Sequence, residues 1–209
     1  GVYKHYGKGK EGFNITSCQF ALHYFFENVG TLNNFLQNVS HCTKVGGFFI
    51  GACYDGEKLF KDLSKKEIKE GISLFKNDNK IWEIIKQYSN TDFNNDESSV
   101  GYAIDVYQET IGKMFREYLV NFTYLTRLME NYGFVLLSKE EANSIGISNS
   151  SGMFSEMFDL LETQTKFDMN IKNNIGESLS MSDEEKKISF YNRFFIFKKI
   201  RTVEIIAPT

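Results

Sequence analysis

The run Ser17-Cys-Gln-Phe-Ala-Leu-His-Tyr24 holds the densest set of reactive and hydrogen-bonding side chains in this chain. A β-prone segment ends there in a polar and aromatic group instead of a plain turn, so Gln19, His23 and Tyr24 would crowd a ligand crevice at the strand's end. An imidazole, a phenol and an amide offer a ligand both donors and acceptors. Read alone, the same His–Tyr pair also fits a partly buried structural role. Other candidates read more simply. The string Tyr6-Gly-Lys-Gly-Lys10 lacks a preceding strand and the spacing of a phosphate loop, and a strand follows it where a helix should, so it is an ordinary loop. His5, His23 and His41 are not at helical ligand spacing with each other or with a cysteine pair, and no zinc site is expected. Cys18, Cys42 and Cys53 form no disulfide framework, and no nucleophile elbow is present.

The elements that must position these residues follow from periodicity. A basic, glycine-rich loop over 1–12 leads into a strand over 13–20. Val29, Leu32, Phe35, Leu36 and Val39 lie on one face of a helix over 28–42, entered near Thr31 and ended by Gly46-Gly47. The continuously apolar Phe-Phe-Ile-Gly-Ala-Cys over 48–53 reads as a strand buried on both faces of a parallel sheet. Strand, helix and strand make a βαβ unit, with ligands expected beyond the carboxyl ends, at His23-Tyr24 and Tyr54-Asp-Gly56. Residues 57–76 are helix-prone and lysine-rich, and 86–99 is a polar loop. A strand over 101–108, an amphipathic helix over 122–132 stopped by Gly133, and a buried strand over 134–137 resume the alternation. Residues 138–187 read mostly as insertion or loop with an apolar patch at 153–161, and a strand over 188–198 closes the fold.

Composition sets the outer limits. The 209 residues make one domain's worth of chain, 42% hydrophobic and 15% aromatic, enough for a full core without staples. No apolar run reaches the roughly 18–20 residues of a membrane span, and no signal peptide opens the chain, so a soluble, cytoplasmic protein is expected. The net charge of −3, from 24 Lys+Arg against 27 Asp+Glu, excludes bulk attraction of nucleic acid and leaves only local basic surfaces. The lysine-rich stretches 58–69 and 76–86 could lie along RNA phosphates, although a plain solvated helix face is the favoured reading.

With these elements in order, the chain resembles the mRNA cap guanine-N7 methyltransferases, especially the capping enzymes of large cytoplasmic DNA viruses. The resemblance rests on Cys-Gln-Phe-Ala-Leu-His-Tyr at 18–24, Gly-Gly-Phe-Phe-Ile-Gly at 46–51 and Asp-Gly at 55–56. It continues with Glu-Tyr-Leu-Val-Asn-Phe at 117–122, Asn-Tyr-Gly-Phe-Val-Leu at 131–136 and an aromatic strand at 190–197. These recur in the family's order across most of 1–209, with 57–100 and 138–187 matched least and expected to be insertions or loops. The implied fold is α/β, a class I (Rossmann-like) methyltransferase sheet with a reversed last strand, from its fourth strand onward. The family's glycine-rich donor loop and acidic strand end are not found, so the chain is expected to be a C-terminal portion of the methyltransferase domain.

The resemblance implies methyl transfer from S-adenosylmethionine to N7 of the 5′-terminal guanine of capped mRNA, without a metal. Glu117 would accept hydrogen bonds from the guanine, His23 would contact the same base, and Tyr24 would sit between base and donor. Gln19 and Phe20 would flank the donor. Tyr191 is implied for the cap pocket, although counting back from Phe197 puts Asn192 at the family's position, and Tyr54 stands where cellular relatives often have proline. Without the family pattern, Glu117 reads as a solvated carboxylate at a helix start, worth about 0.3–1 kcal/mol. Implied partners are the capped mRNA 5′ end, upstream triphosphatase and guanylyltransferase domains, and a stimulatory subunit. A non-catalytic module of the same fold that binds capped RNA or a partner is the rival reading, and a small-molecule methyltransferase is a third.

Overall fold

The computed structural model describes residue 7 and residues 9–203; His5, Tyr6, Lys8 and Pro208 lie outside them. The chain folds as β1 (Phe13–Gln19), α1 (Leu22–Phe25), α2 (Val29–Cys42), β2 (Thr43–Tyr54), α3 (Gly56–Asp62), β3 (Gly71–Lys76), β4 (Asn79–Lys86), β5 (Ala103–Gln108) and β6 (Lys113–Tyr118). Then come α4 (Phe122–Asn131), β7 (Phe134–Leu136), α5 (Lys139–Ser144), β8 (Ser151–Met153), α6 (Phe154–Gln164), α7 (Met169–Asn174), α8 (Asp183–Ser189) and β9 (Asn192–Lys199). One sheet runs β1-β2-β9-β7, with β8 also on β9, and a second is the meander β3-β4-β5-β6. β1 and β2 are parallel while β9 is antiparallel to β2, the expected α/β sheet with a reversed last strand.

The first sheet is held by one apolar face. Leu32, Leu36 and Val39 of α2, with Leu125 and Met129 of α4, pack on Phe49, Phe195 and Phe197. Asn28 starts α2 by accepting the Thr31 N–H at 2.9 Å, and Asn121 starts α4 by accepting the Tyr124 N–H at 2.9 Å. Asn121 also donates to the Asn94 carbonyl at 2.9 Å, tying the polar loop before β5 to the helix. A second core joins Tyr54, Leu59 and Leu63 to Trp82, Ile84, Ile104 and Val106 of the meander. Burying each of these large side chains is worth about 1.5–3 kcal/mol. No helix among the described residues is long and apolar enough to cross a membrane.

Several expectations are corrected. Residues 57–100 are not mostly loop: Gly56–Asp62 is an α-helix, Glu97–Ser99 a turn of 3-10 helix, and β3 and β4 build half of the second sheet. Lysine's helix preference there yields to the alternation of Trp82, Ile84 and Lys86 toward the core. The hairpin turns on Asn77 (φ 50°) and Asp78 (φ 63°), the two positive-φ residues of a type I′ turn. Gly46-Gly47 does not end α2, which stops at Cys42. Both glycines fall inside β2, where four residues, 44–47, stand opposite Asn14 alone and form a bulge. Residues 138–187 carry four helices and β8. Residues 188–189 belong to α8, so the last strand starts at Asn192. His23 and Tyr24 sit in the short helix α1, one turn beyond the strand end.

Candidate functional site

A cavity of about 360 Å³ opens between the two sheets, where the carboxyl ends of β1 and β2 meet β5 and β6. Each wall has a local cause. Phe20 ends β1 in the left-handed region (φ 51°), and its N–H donates to the Ala52 carbonyl at 2.7 Å. That turn throws its ring outward, 54% exposed, to the cavity mouth. In α1, Leu22 and Phe26 are fully buried at i and i+4, which anchors one face of the turn and leaves His23 and Tyr24 to the cavity. The His23 and Tyr24 rings meet edge-on, centroids 4.2 Å apart, with Tyr24 45% exposed and His23 4%.

Glu117 comes from the second sheet. It faces Ile104 across the β5–β6 pairing, on the row that turns to the core, and is 8% exposed. The expectation of a solvated carboxylate at a helix start is therefore corrected: Glu117 is a strand residue at an inward position. His23 Nε2 lies 3.5 Å from Glu117 Oε2. Among the described residues, neither His23 nitrogen nor that oxygen has a hydrogen-bond partner. The separation would suit an ion pair, but burial opposes both charges. It pulls the imidazole down to about 4 and lifts the Glu117 carboxyl to about 7. Near neutrality His23 is an uncharged ring, and Glu117 stands between acid and carboxylate. An unpartnered buried polar group costs about 1–3 kcal/mol, so both groups favour a molecule in the cavity that supplies hydrogen bonds.

Of the residues expected at the site, Phe20, His23, Tyr24, Tyr54 and Glu117 line this one cavity. Gln19 does not: its side chain donates to Ser17 Oγ at 3.0 Å. Tyr191 does not either. Its ring stacks on Trp82 at 5.3 Å, and its hydroxyl donates to Asp62 at 2.9 Å. Asn192, one residue on, lines the cavity, with its amide donating to the Ile188 and Ser189 carbonyls. Tyr54 is fixed by two donors, Trp82 Nε1 at 3.0 Å and Gln108 Nε2 at 3.2 Å. Gln108, Ile111 and Ile188 also line the cavity and had not been expected. Gln108 was legible, since Ile104 and Val106 set a period of two that brings a polar residue inward at 108. The 76–86 lysines fall on the β3–β4 hairpin, and Lys86 is bound to the Lys66 carbonyl at 2.9 Å.

Residues 2–200 match the family model of the mRNA (guanine-N(7))-methyltransferase domain. The chain belongs to that family. It is 27% identical over 219 residues to a probable mRNA-capping enzyme of Acanthamoeba polyphaga mimivirus, covering 94% of this chain and 18% of that protein. It is 26% identical over 204 residues to the mRNA cap guanine-N(7) methyltransferase of Eremothecium gossypii, covering 93% of this chain and 44% of the relative. To the Saccharomyces cerevisiae protein of the same name it is 27% identical over 193 residues, covering 90% and 42%. The chain thus spans less than half the length of these relatives.

Proposed function

We propose that this chain forms the cap-guanine side of an S-adenosylmethionine-dependent methyltransferase that acts on N7 of the 5′-terminal guanine of capped mRNA. The observation that carries the reading is the unpartnered His23–Glu117 pair buried in an aromatic-rimmed cavity. A guanine edge presents N1–H and the N2 amino group side by side, and one carboxylate accepts from both. His23, uncharged, has a donor and an acceptor for the same base.

Guanine N7 already carries a lone pair, so forming the N–C bond as the C–S bond breaks needs no general base. The requirement is alignment of the two reactants in a dry site. The leaving electrons go to sulfur, and the purine becomes cationic. The Glu117 carboxylate, having given up its proton to bind guanine, stabilises that charge. Tyr24 adds an aromatic face worth about 0.5–2 kcal/mol against a cation. S-adenosylmethionine, when bound, supplies the electrophilic methyl group. The rings of Phe20 and Tyr24 at the mouth fit its sulfonium and adenine, and Gln19 flanks them from outside the cavity. Asn192 takes the family position first assigned to Tyr191, and Tyr191 acts through Trp82 as packing. The mimivirus relative, called a capping enzyme, supports the further reading that triphosphatase and guanylyltransferase domains accompany this one in a longer cytoplasmic protein. A stimulatory subunit remains part of the same proposal.

Glu117→Ala tests the assignment. Methyl transfer to guanine-capped RNA should fall at least about 10- to 100-fold, the worth of a charge-assisted pair of hydrogen bonds, while donor affinity stays within about twofold. Equal loss of both would show that Glu117 serves the donor or the fold instead.

A further inference from the structure

The Tyr54 hydroxyl is held in a way that leaves it only its hydrogen to offer. A phenol has two lone pairs to accept with and one hydrogen to donate. Both lone pairs are taken: Trp82 Nε1 donates to the oxygen at 3.0 Å and Gln108 Nε2 at 3.2 Å. The sheet register sets this up, because Trp82 and Gln108 stand directly opposite each other on β4 and β5, with their side chains on one face. Among the described residues, nothing accepts the hydroxyl's own hydrogen. Burial raises the pKa of the phenol and the Glu117 charge adds to that rise, so the hydrogen stays on oxygen at neutral pH. The two accepted bonds also polarise the O–H and strengthen it as a donor. Tyr54 is 9% exposed and lines the same cavity as Gln108 and Glu117. The cavity therefore holds an acceptor, the Glu117 carboxylate, and a separate fixed donor, the Tyr54 hydroxyl.

We propose that Tyr54 is a specificity residue of the guanine site, its hydroxyl donating to guanine O6, with Trp82 and Gln108 as the positioning residues that make it a donor. The proposal rests on the guanine reading of the cavity. With N1–H and the N2 amino group on Glu117, O6 is the next polar atom along the same edge, and it accepts. An adenine turns an amino group to that place, donor against donor, and leaves both groups unpaired in a dry site. Discrimination is thus built from two sides: Glu117 selects the donors of the guanine edge, and Tyr54 selects its carbonyl. The Tyr54 bond is neutral, so it adds selectivity and leaves stabilisation of the cationic product to Glu117.

Nucleotide analogues separate the two contacts. 6-Thio-GTP keeps N1–H and the N2 amino group but replaces O6 by sulfur, a weak acceptor, whereas ITP keeps O6 and N1–H and lacks the N2 amino group. In calorimetric titration of the chain as it stands, the wild type should bind GTP about three- to ten-fold tighter than 6-thio-GTP. Tyr54→Phe should lose about the same factor on GTP and bring the two affinities within about twofold of each other, while its preference for GTP over ITP stays that of the wild type. Gln108→Met leaves Trp82 on the phenol and should keep the discrimination against 6-thio-GTP. A Tyr54→Phe chain that merely folds less well would lose affinity for all three nucleotides in proportion, and that result counts against the O6 contact. A wild type that binds GTP and 6-thio-GTP alike, or a discrimination that survives Tyr54→Phe, would overturn the proposal. So would a discrimination lost in Gln108→Met alone, which moves the donor to the Gln108 amide. In each of these cases a GTP-over-ITP preference that disappears in Glu117→Ala keeps the guanine site standing. If the wild type binds neither GTP nor the unmethylated cap dinucleotide GpppA, the guanine reading fails and this proposal with it.

Discussion

His23 and Glu117 oppose each other in their effect on stability. Burial lifts the Glu117 carboxyl from 4.5 to about 7, so between those values the folded chain holds a proton that the unfolded chain has lost. Stability from this group falls as pH rises through that window. Burial lowers His23 from 6.5 to about 4, so there the unfolded chain holds the extra proton and stability rises with pH. The two slopes nearly cancel between about 4.5 and 6.5 in the wild type. In urea unfolding followed across pH, Glu117→Gln should leave the rising slope from 4 to 6.5, and His23→Asn the falling slope from 4.5 to 7. Flat profiles in both variants would mean that the groups are not held uncharged. The motif over 18–24 located His23 and Tyr24 in the sequence, because a polar pair interrupts an apolar pattern there. Glu117 was legible only through the family resemblance, since its inward position depends on pairing with Ile104 across a strand that the sequence did not declare.

Among the elements, those with one strong periodic signal were readable: α2, α4, β5 and the apolar end of β2. The β3–β4 hairpin was hidden under lysines, although Asn77-Asp78 between two apolar runs was a turn signal available to be read. The helices after β7 were hidden for a different reason. α6 and α8 bury no residue, so packing does little to mark them, and capping carries much of the local specification. Ser138 and Ser182 each open a capping box, with Glu141 and Glu185 answering three residues on. Gly56 shows how tightly the site's elements are joined. Its N–H donates to the Val120 carbonyl at 3.0 Å, and an added Cβ would press on the Val120 backbone. Gly56→Ala should separate α3 from the segment that follows the Glu117 strand and cost about 1–3 kcal/mol, read as a lower urea midpoint with weaker cap binding. Unchanged stability would show that α3 can move without consequence.

At the scale of the molecule, two sheets with separate cores meet along one line, and the cavity that holds His23 and Glu117 lies on it. Tyr54 belongs to the second core yet ends a strand of the first sheet, which couples the pocket wall to both. Asp55 strengthens the junction: it caps α3 and receives Arg193 Nε from β9 at 2.7 Å. The class of the first sheet was legible from its βαβ unit. The second sheet was not, because a meander of half-exposed strands has no signature beyond a short alternation. The account as a whole stands or falls on whether the chain binds an unmethylated guanine cap through Glu117. Calorimetric titration of GpppA at pH 8, where the carboxyl is ionised, should give saturable binding that Glu117→Gln weakens by about 10- to 100-fold. Binding of equal strength in the variant, or none in the wild type, would contradict it.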